Sequence, residues 1–218
     1  MGFTLAIGDI HGCSEQLGQL LDSIEMWWPG GTIVFLGDYV DRGPDSRGVL
    51  LRLMAGPTKP GWKWIALKGN HEEMMVSALK IGEHVSRWLE NGGEETSQSY
   101  GGHVPDVVLD WADNLPTIHV DEHRIFVHAG VDDAIPLDAQ SERTLLWSRP
   151  PVGSDNDYWG KHLCHGHTPR SGNPTTTGNR TNVDSGCVFG GSLTAAVFDD
   201  DLAGPPIRFI NIANRSVL

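Results

Sequence analysis

Asp9 and His11 stand in the run Gly8-Asp9-Ile10-His11-Gly12, and two further runs of similar character follow. They are Gly37-Asp38-Tyr39-Val40-Asp41-Arg42-Gly43 and Gly69-Asn70-His71-Glu72. Carboxylate, imidazole and carboxamide groups form a mixed ligand set suited to divalent metals. Arginines beside them can grip an anion through the guanidinium fork. Two residues apart on an extended strand end, Asp9 and His11 project the same way and can reach one ion. The carboxylate of Asp38 has two oxygens, enough to touch two ions, and Asn70 offers a neutral carbonyl oxygen. Two later segments supply imidazoles: His128 in Ile125-Phe126-Val127-His128-Ala129-Gly130, and His167 in His165-Gly166-His167-Thr168-Pro169. The arrangement predicts one ion on Asp9, His11 and Asp38, and another on Asp38, Asn70, His128 and His167. Two ions sharing a carboxylate can clamp a phosphate and lower the pKa of a bridging water. The residues therefore point to metal-dependent phosphoester hydrolysis.

The elements that must position these groups are also legible. Phe3 to Ile7, Thr32 to Leu36 and Trp62 to Leu67 are short apolar runs rich in β-branched and aromatic residues, as buried strands are. Each motif thus falls where a strand ends, the edge at which open α/β sheets bind ligands. Ser14 is a candidate N-cap for a helix with Leu17, Leu20, Leu21 and Ile24 on one face. A second helix is expected over Ser46 to Ala55 and a third beyond Asn70, giving βαβαβ order and neighbouring parallel strands. From Glu83 to Leu115 the chain reads as helical and loop-rich. The last third carries strand signals at Thr117–Val120, Arg124–His128, Leu163–Gly166, Asn182–Val183, Leu193–Phe198 and Arg208–Ile212, an antiparallel pattern. Pro150–Gly160 and Pro169–Gly178 read as surface loops.

Composition narrows the class. A chain of 218 residues can form one sizeable core, and one domain over 1–218 is expected. Hydrophobic residues make up 39% and charged residues 20%, without an apolar stretch of membrane-spanning length or an export signal. Cys13, Cys164 and Cys187 lack CxxC spacing, which argues against a disulfide framework and for a reducing, cytoplasmic setting. A net charge of −12 disfavours nucleic acid as a partner, and no membrane partner is expected. A small anionic substrate remains compatible, because bound metal dominates the local field.

The order of the motifs resembles the phosphoprotein phosphatase group of metallophosphoesterases, whose pattern is GDxHG, GDxxDRG, GNHE, HAG or HGG, and a late histidine. Matching elements run from Gly8 to Thr168. The chain is most similar to the compact bacterial and phage lambda-type serine/threonine phosphatases. The supporting residues are Glu72-Glu73-Met74-Met75, Trp88-Leu89-Glu90-Asn91-Gly92-Gly93, Leu146-Trp147-Ser148-Arg149 and Asp184-Ser185-Gly186-Cys187-Val188-Phe189. The resemblance implies an α/β fold at the α+β boundary, a β-sandwich with a βαβαβ motif flanked by helices. It also implies that His71 protonates the leaving oxygen, that Asp41 orients His71, and that Arg42 and Arg149 bind phosphate.

Together these give a monomeric cytoplasmic serine/threonine protein phosphatase with two divalent ions, manganese by preference. A metal-bridging hydroxide attacks the phosphate ester in line, and a phosphoprotein or phosphopeptide is the partner. The closest alternative is symmetrical diadenosine-tetraphosphate hydrolysis, against which stands the lack of an obvious basic cluster for extra phosphates. A catalytically dead binding module is the more distant alternative, disfavoured by the intact proton donor. His84, His103, His119, His123, His162 and His165 read as structural or surface groups, and Trp88 or Trp147 as rims of the cleft.

Overall fold

The computed structural model of the chain describes residues 2–151, 153–154 and 156–215. Its β1 (Phe3–Ile7), β2 (Gly31–Phe35) and β3 (Trp62–Ala66) pair in parallel, with α1 (Ser14–Trp27) and α2 (Ser46–Ala55) as the crossovers. α3 (Asn70–Val76) begins directly after the third motif, and α4 (Val85–Trp88), α5 (Glu94–Ser99) and α6 (Asp106–Asp113) fill the middle. β4 (Ile118–Val120), β5 (Arg124–Val127), α7 (Glu142–Trp147), β6 (His162–His165), β7 (Thr175–Thr177), β8 (Arg180–Asn182), β9 (Ser192–Asp199) and β10 (Arg208–Ala213) complete the order.

Among the described residues these strands form two five-stranded sheets, β10-β9-β1-β2-β3 and β4-β5-β6-β8-β7. Strand alternation builds the layers. Leu5, Ile7, Ile33 and Phe35 face the helices, packing with Leu17, Leu20 and Ile24 of α1. Ala6 and Val34, on the opposite side of the same strands, meet Phe126, Cys164 and Phe198 between the sheets. A one-residue slip would exchange these faces, so the alternation sets the register. Beyond the second sheet, Ile125, Val127 and Leu163 pack with Leu145 of α7. The result is a sheet-on-sheet sandwich flanked by helices, as the family resemblance implies.

Some expectations need correction. The last third is not uniformly antiparallel, because β5 pairs with β6 and β6 with β8 in parallel. Buried on both faces, β5 and β6 show no polar–apolar alternation in their sequences, and nothing in them encodes pairing direction. The segment Pro169–Gly178 contains β7, whose three threonines pair antiparallel with β8 and make a polar edge strand. Pro150–Gly160 ends in a short helical turn at Tyr158–Gly160, with Tyr158 buried in the core below α7, while Val152 and Asp155 lie outside the described residues. Ser14 opens α1, but Cys13 holds the cap position and no side-chain cap forms there. Among the described residues no helix is long and apolar enough to cross a membrane.

Candidate active site

The three motif loops are joined through their backbones. The N–H groups of Ile10 and His11 donate to the carbonyl of Asp38 at 3.0 and 2.8 Å, and Gly12 donates to Tyr39 at 2.9 Å. His71 N–H donates to Asp38 Oδ1 at 3.0 Å. His167 N–H reaches both oxygens of Asp9, at 3.0 and 3.1 Å, tying the late histidine to the first motif. Close approach explains two glycines: a Cβ on Gly69 would collide with Asp38, and one on Gly166 with Asp9. His11, Asp38, Asp41, Arg42 and His167 all lie at positive φ, between 43° and 72°. Such strain in non-glycine residues clusters where side chains must be aimed.

Asp38 sits at the meeting point of two groups. His11, Asp38 and His71 form one, and Asp38, His128 and His167 the other, with the ligand atoms in each within 4.8 Å of one another. His128 Nδ1–H donates to Leu36 O at 2.8 Å, and His11 Nδ1–H to Val40 O at 2.7 Å. That fixes both tautomers and leaves both Nε2 lone pairs facing inward. Around His128 Nε2 lie Asn70 Oδ1 at 2.8 Å, His167 Nδ1 at 3.2 Å and Asp38 Oδ1 at 3.3 Å. Four potential ligand atoms converge there, an arrangement that a cation satisfies. At His11, Arg42 Nη1 donates to Nε2 at 2.7 Å, and Asp38 Oδ2 is 3.5 Å from the same nitrogen.

The electrostatics point the same way. Burial holds the carboxyls of Asp9 and Asp38 well above the usual range, with Asp184 pressing on Asp9 and Glu72 on Asp38. Burial also lowers His11 to about 3, with Arg42 adding to the effect, and His167 to about 4, with Arg149 and Arg42 adding. Crowded buried carboxylates and neutral imidazoles fit a site that divalent cations complete. Asn70, His128, His167 and Asp38 therefore suit one ion. His11 and Asp38 suit another, with buried Asp9 beside them and held by His167 N–H.

His71 is arranged differently. Its Nδ1 lies 2.7 Å from Asp41 Oδ2, while its Nε2 is 4.0 Å from Asp38 Oδ2. Asp41 Oδ1 accepts from Thr96 Oγ1 at 2.7 Å and Trp88 Nε1 at 3.0 Å. Burial raises Asp41 to about 8, against those hydrogen bonds, and drives His71 well below its ordinary value. With Nδ1 turned to Asp41, His71 Nε2 is directed toward Asp38. Arg42 is half-buried and Arg149 exposed. The Arg149 charge adds to the burial that lowers His167 and works against the burial that raises Asp184 to about 6.

Several residues escaped the sequence reading. Glu72 is fully buried, and its carboxylate accepts from the backbone of Gly69, Asp38 and Tyr39 at 2.7–2.8 Å. Its place three residues after the helix cap was the available signal. Thr96 and Trp88 reach Asp41 across 55 and 47 residues, separations with no local pattern. Trp88 is consequently buried rather than a cleft rim. Trp147 keeps its place near the site, its ring 6.2 Å from that of His167.

The family model for calcineurin-like phosphoesterases matches residues 4–197. The chain belongs to that family. This phosphoesterase is 29% identical to an asymmetrical bis(5'-nucleosyl)-tetraphosphatase PrpE of Halalkalibacterium halodurans, over 97% of this chain and 94% of that protein. It is 30% identical to serine/threonine-protein phosphatase 1 of Salmonella typhimurium, over 87% of this chain and 89% of the relative. A crystal structure of a candidate diadenosine tetraphosphatase superposes with a TM-score of 0.68 at 25% identity, covering 97% of this chain and 93% of that one.

Proposed function

We propose that this phosphoesterase hydrolyses bis(5'-nucleosyl) tetraphosphates at a pair of divalent ions, manganese by preference. The observation that carries the two-ion reading is Asp38, whose Oδ2 lies 3.5 Å from His11 Nε2 and whose Oδ1 lies 3.3 Å from His128 Nε2. Asp38, Asn70, His128 and His167 would hold one ion, and Asp9, His11 and Asp38 the other. The mixed oxygen and nitrogen donors suit manganese better than magnesium, which prefers oxygen alone. Divalent ions held there would supply charge neutralisation for the phosphate and a water acidic enough to act as nucleophile.

The chain's own residues do the rest. Arg42 and Arg149 grip non-bridging oxygens of the phosphate under attack. His71 gives the proton on Nε2 to the leaving oxygen, its ring aimed by Asp41. Buried Asp41 is steadied in turn by Thr96 and Trp88.

The choice of substrate departs from the protein-phosphatase expectation. Relatives named as tetraphosphatases align with almost the whole chain. The objection that no basic cluster serves the extra phosphates also weakens, because Phe189 has Arg42 over its ring and lines a cleft with Arg170. Phosphoserine or phosphothreonine hydrolysis stays as the second reading, favoured by the Salmonella relative. Parallel assays with manganese decide between them. The proposal expects kcat/KM for diadenosine tetraphosphate to exceed that for phosphoserine peptides at least about tenfold, and the reverse preference would overturn it.

A further inference from the structure

We propose that Phe189 is the platform on which a nucleobase stacks, and that the base belongs to the nucleotide whose own phosphate is attacked. Phe189 is 61% exposed. It ends the short turn Cys187–Phe189, which lies between Gly186 at φ 67° and Gly190 at φ 85°. Both glycines adopt left-handed backbone that side chains resist, so they allow the sharp reversal that thrusts the ring outward.

The turn is held firmly. Asn214 Nδ2 donates to Cys187 O at 3.0 Å, Ser185 Oγ to Ser192 O at 2.7 Å, and Gly186 N–H to Asp184 Oδ1 at 3.1 Å. A platform fixed before binding loses little freedom when a ligand arrives. A single exposed apolar side chain is ordinary on a protein surface. The surroundings of Phe189 are not.

The Arg42 guanidinium carbon lies 5.7 Å from the Phe189 ring centroid, while Arg42 Nη1 is 2.7 Å from His11 Nε2. The ring therefore stands one side chain away from the candidate metal ligands. Phe189 also lines a surface cleft of about 340 Å³ together with Pro169, Arg170 and Ser185. A flat apolar face, an arginine toward the reacting phosphate and a second arginine in the cleft that the ring lines match a base, its α-phosphate and further phosphates. Stacking on an aromatic ring tolerates any base, since every base has a π-face. Only a ribose separates a base from its own phosphate, so a base beside Arg42 implies attack at that near phosphorus. Diadenosine tetraphosphate would then yield AMP and ATP.

The inference rests on the dinucleotide reading for its substrate, but the platform can be tested separately. Calorimetry on the manganese-loaded protein compares AMP with inorganic phosphate. The wild type should prefer AMP roughly tenfold or more. Phe189→Ala and Phe189→Leu should lose most of that preference, and Phe189→Trp should keep it. Leucine retains apolar bulk against Arg42 without a flat face, which separates stacking from support of Arg42. No preference for AMP in the wild type, or equal preference in the alanine variant, overturns the platform. A Phe189-dependent preference for AMP without hydrolysis of diadenosine tetraphosphate overturns the substrate reading and leaves the platform standing. Hydrolysis to two ADP molecules overturns the placement of the base.

Discussion

The backbone N–H of Asp38 donates to Glu72 Oε2 at 2.8 Å, so the residue between the two candidate metal sites is held by a fully buried carboxylate. The same oxygen accepts from Gly69, and Oε1 accepts from Tyr39 at 2.7 Å. Glu72 thereby clamps the loop after β2 onto the start of α3. The positive φ of Asp38 persists because the clamp determines it.

Glu72→Gln should destabilise the protein and loosen the site together. An amide presents one oxygen where the carboxylate presented two, leaving buried donors unmatched at about 1–3 kcal/mol each. Urea unfolding should show a lower midpoint, and manganese titration a weaker affinity. An unchanged midpoint would mean that the clamp contributes nothing.

Asp38→Ala should be the most damaging ligand substitution, because this carboxylate alone faces both groups. Elemental analysis should find neither ion retained. Asp9→Ala should keep one ion, since Asn70, His128 and His167 are left intact. Retention of both ions by the Asp38 variant would exclude it as the shared ligand.

His71→Asn should show losses that depend on the leaving group. General acid catalysis is worth typically ~10²–10⁴-fold when the leaving oxygen needs a proton. A serine alkoxide needs it, whereas nitrophenolate and the terminal oxygen of a nucleoside triphosphate leave far more readily. The loss should therefore be large on phosphoserine peptides and smaller on nitrophenyl phosphate and diadenosine tetraphosphate. Asp41→Asn should follow the same order more weakly. Metal content must stay constant. Loss of an ion would assign His71 to the metal group that it shares with His11 and Asp38.

Stability should fall in mild acid through His162. Its Nε2 pairs with Thr181 Oγ1 at 2.8 Å, and burial, with Arg124 nearby, lowers it to about 4. The unfolded chain takes up this proton near pH 6.5, which the folded chain refuses until about 4. Its contribution is therefore present above pH 6.5 and lost as pH falls through that window. His162→Gln should flatten the stability profile between pH 6.5 and 4 in denaturant titrations. An identical slope in both proteins would remove His162 as the cause.

What was legible in the sequence was local. The βαβαβ half follows from apolar runs ending in Gly-Asp or Gly-Asn, and the convergence of Asp38, Asn70, His128 and His167 follows from motifs at strand ends. Pairing direction in the second sheet was hidden, because β5 and β6 are buried on both faces and carry no alternation to read. The supports of Asp41 were hidden for another reason. Thr96 and Trp88 meet it through tertiary packing of the middle helices, and nothing in a helical periodicity marks a hydroxyl or an indole N–H as a partner for a distant carboxylate. Phe189 was visible as a letter in a motif, but its exposure beside Arg42 depends on the fold.

The most direct test is a metal titration of exhaustively chelated protein, reading bound manganese and diadenosine tetraphosphate hydrolysis together. Two ions per chain should bind, activity should be absent from the stripped protein, and it should rise with the second equivalent, more strongly for manganese than for magnesium. Full activity in protein verified to contain no metal would contradict the account.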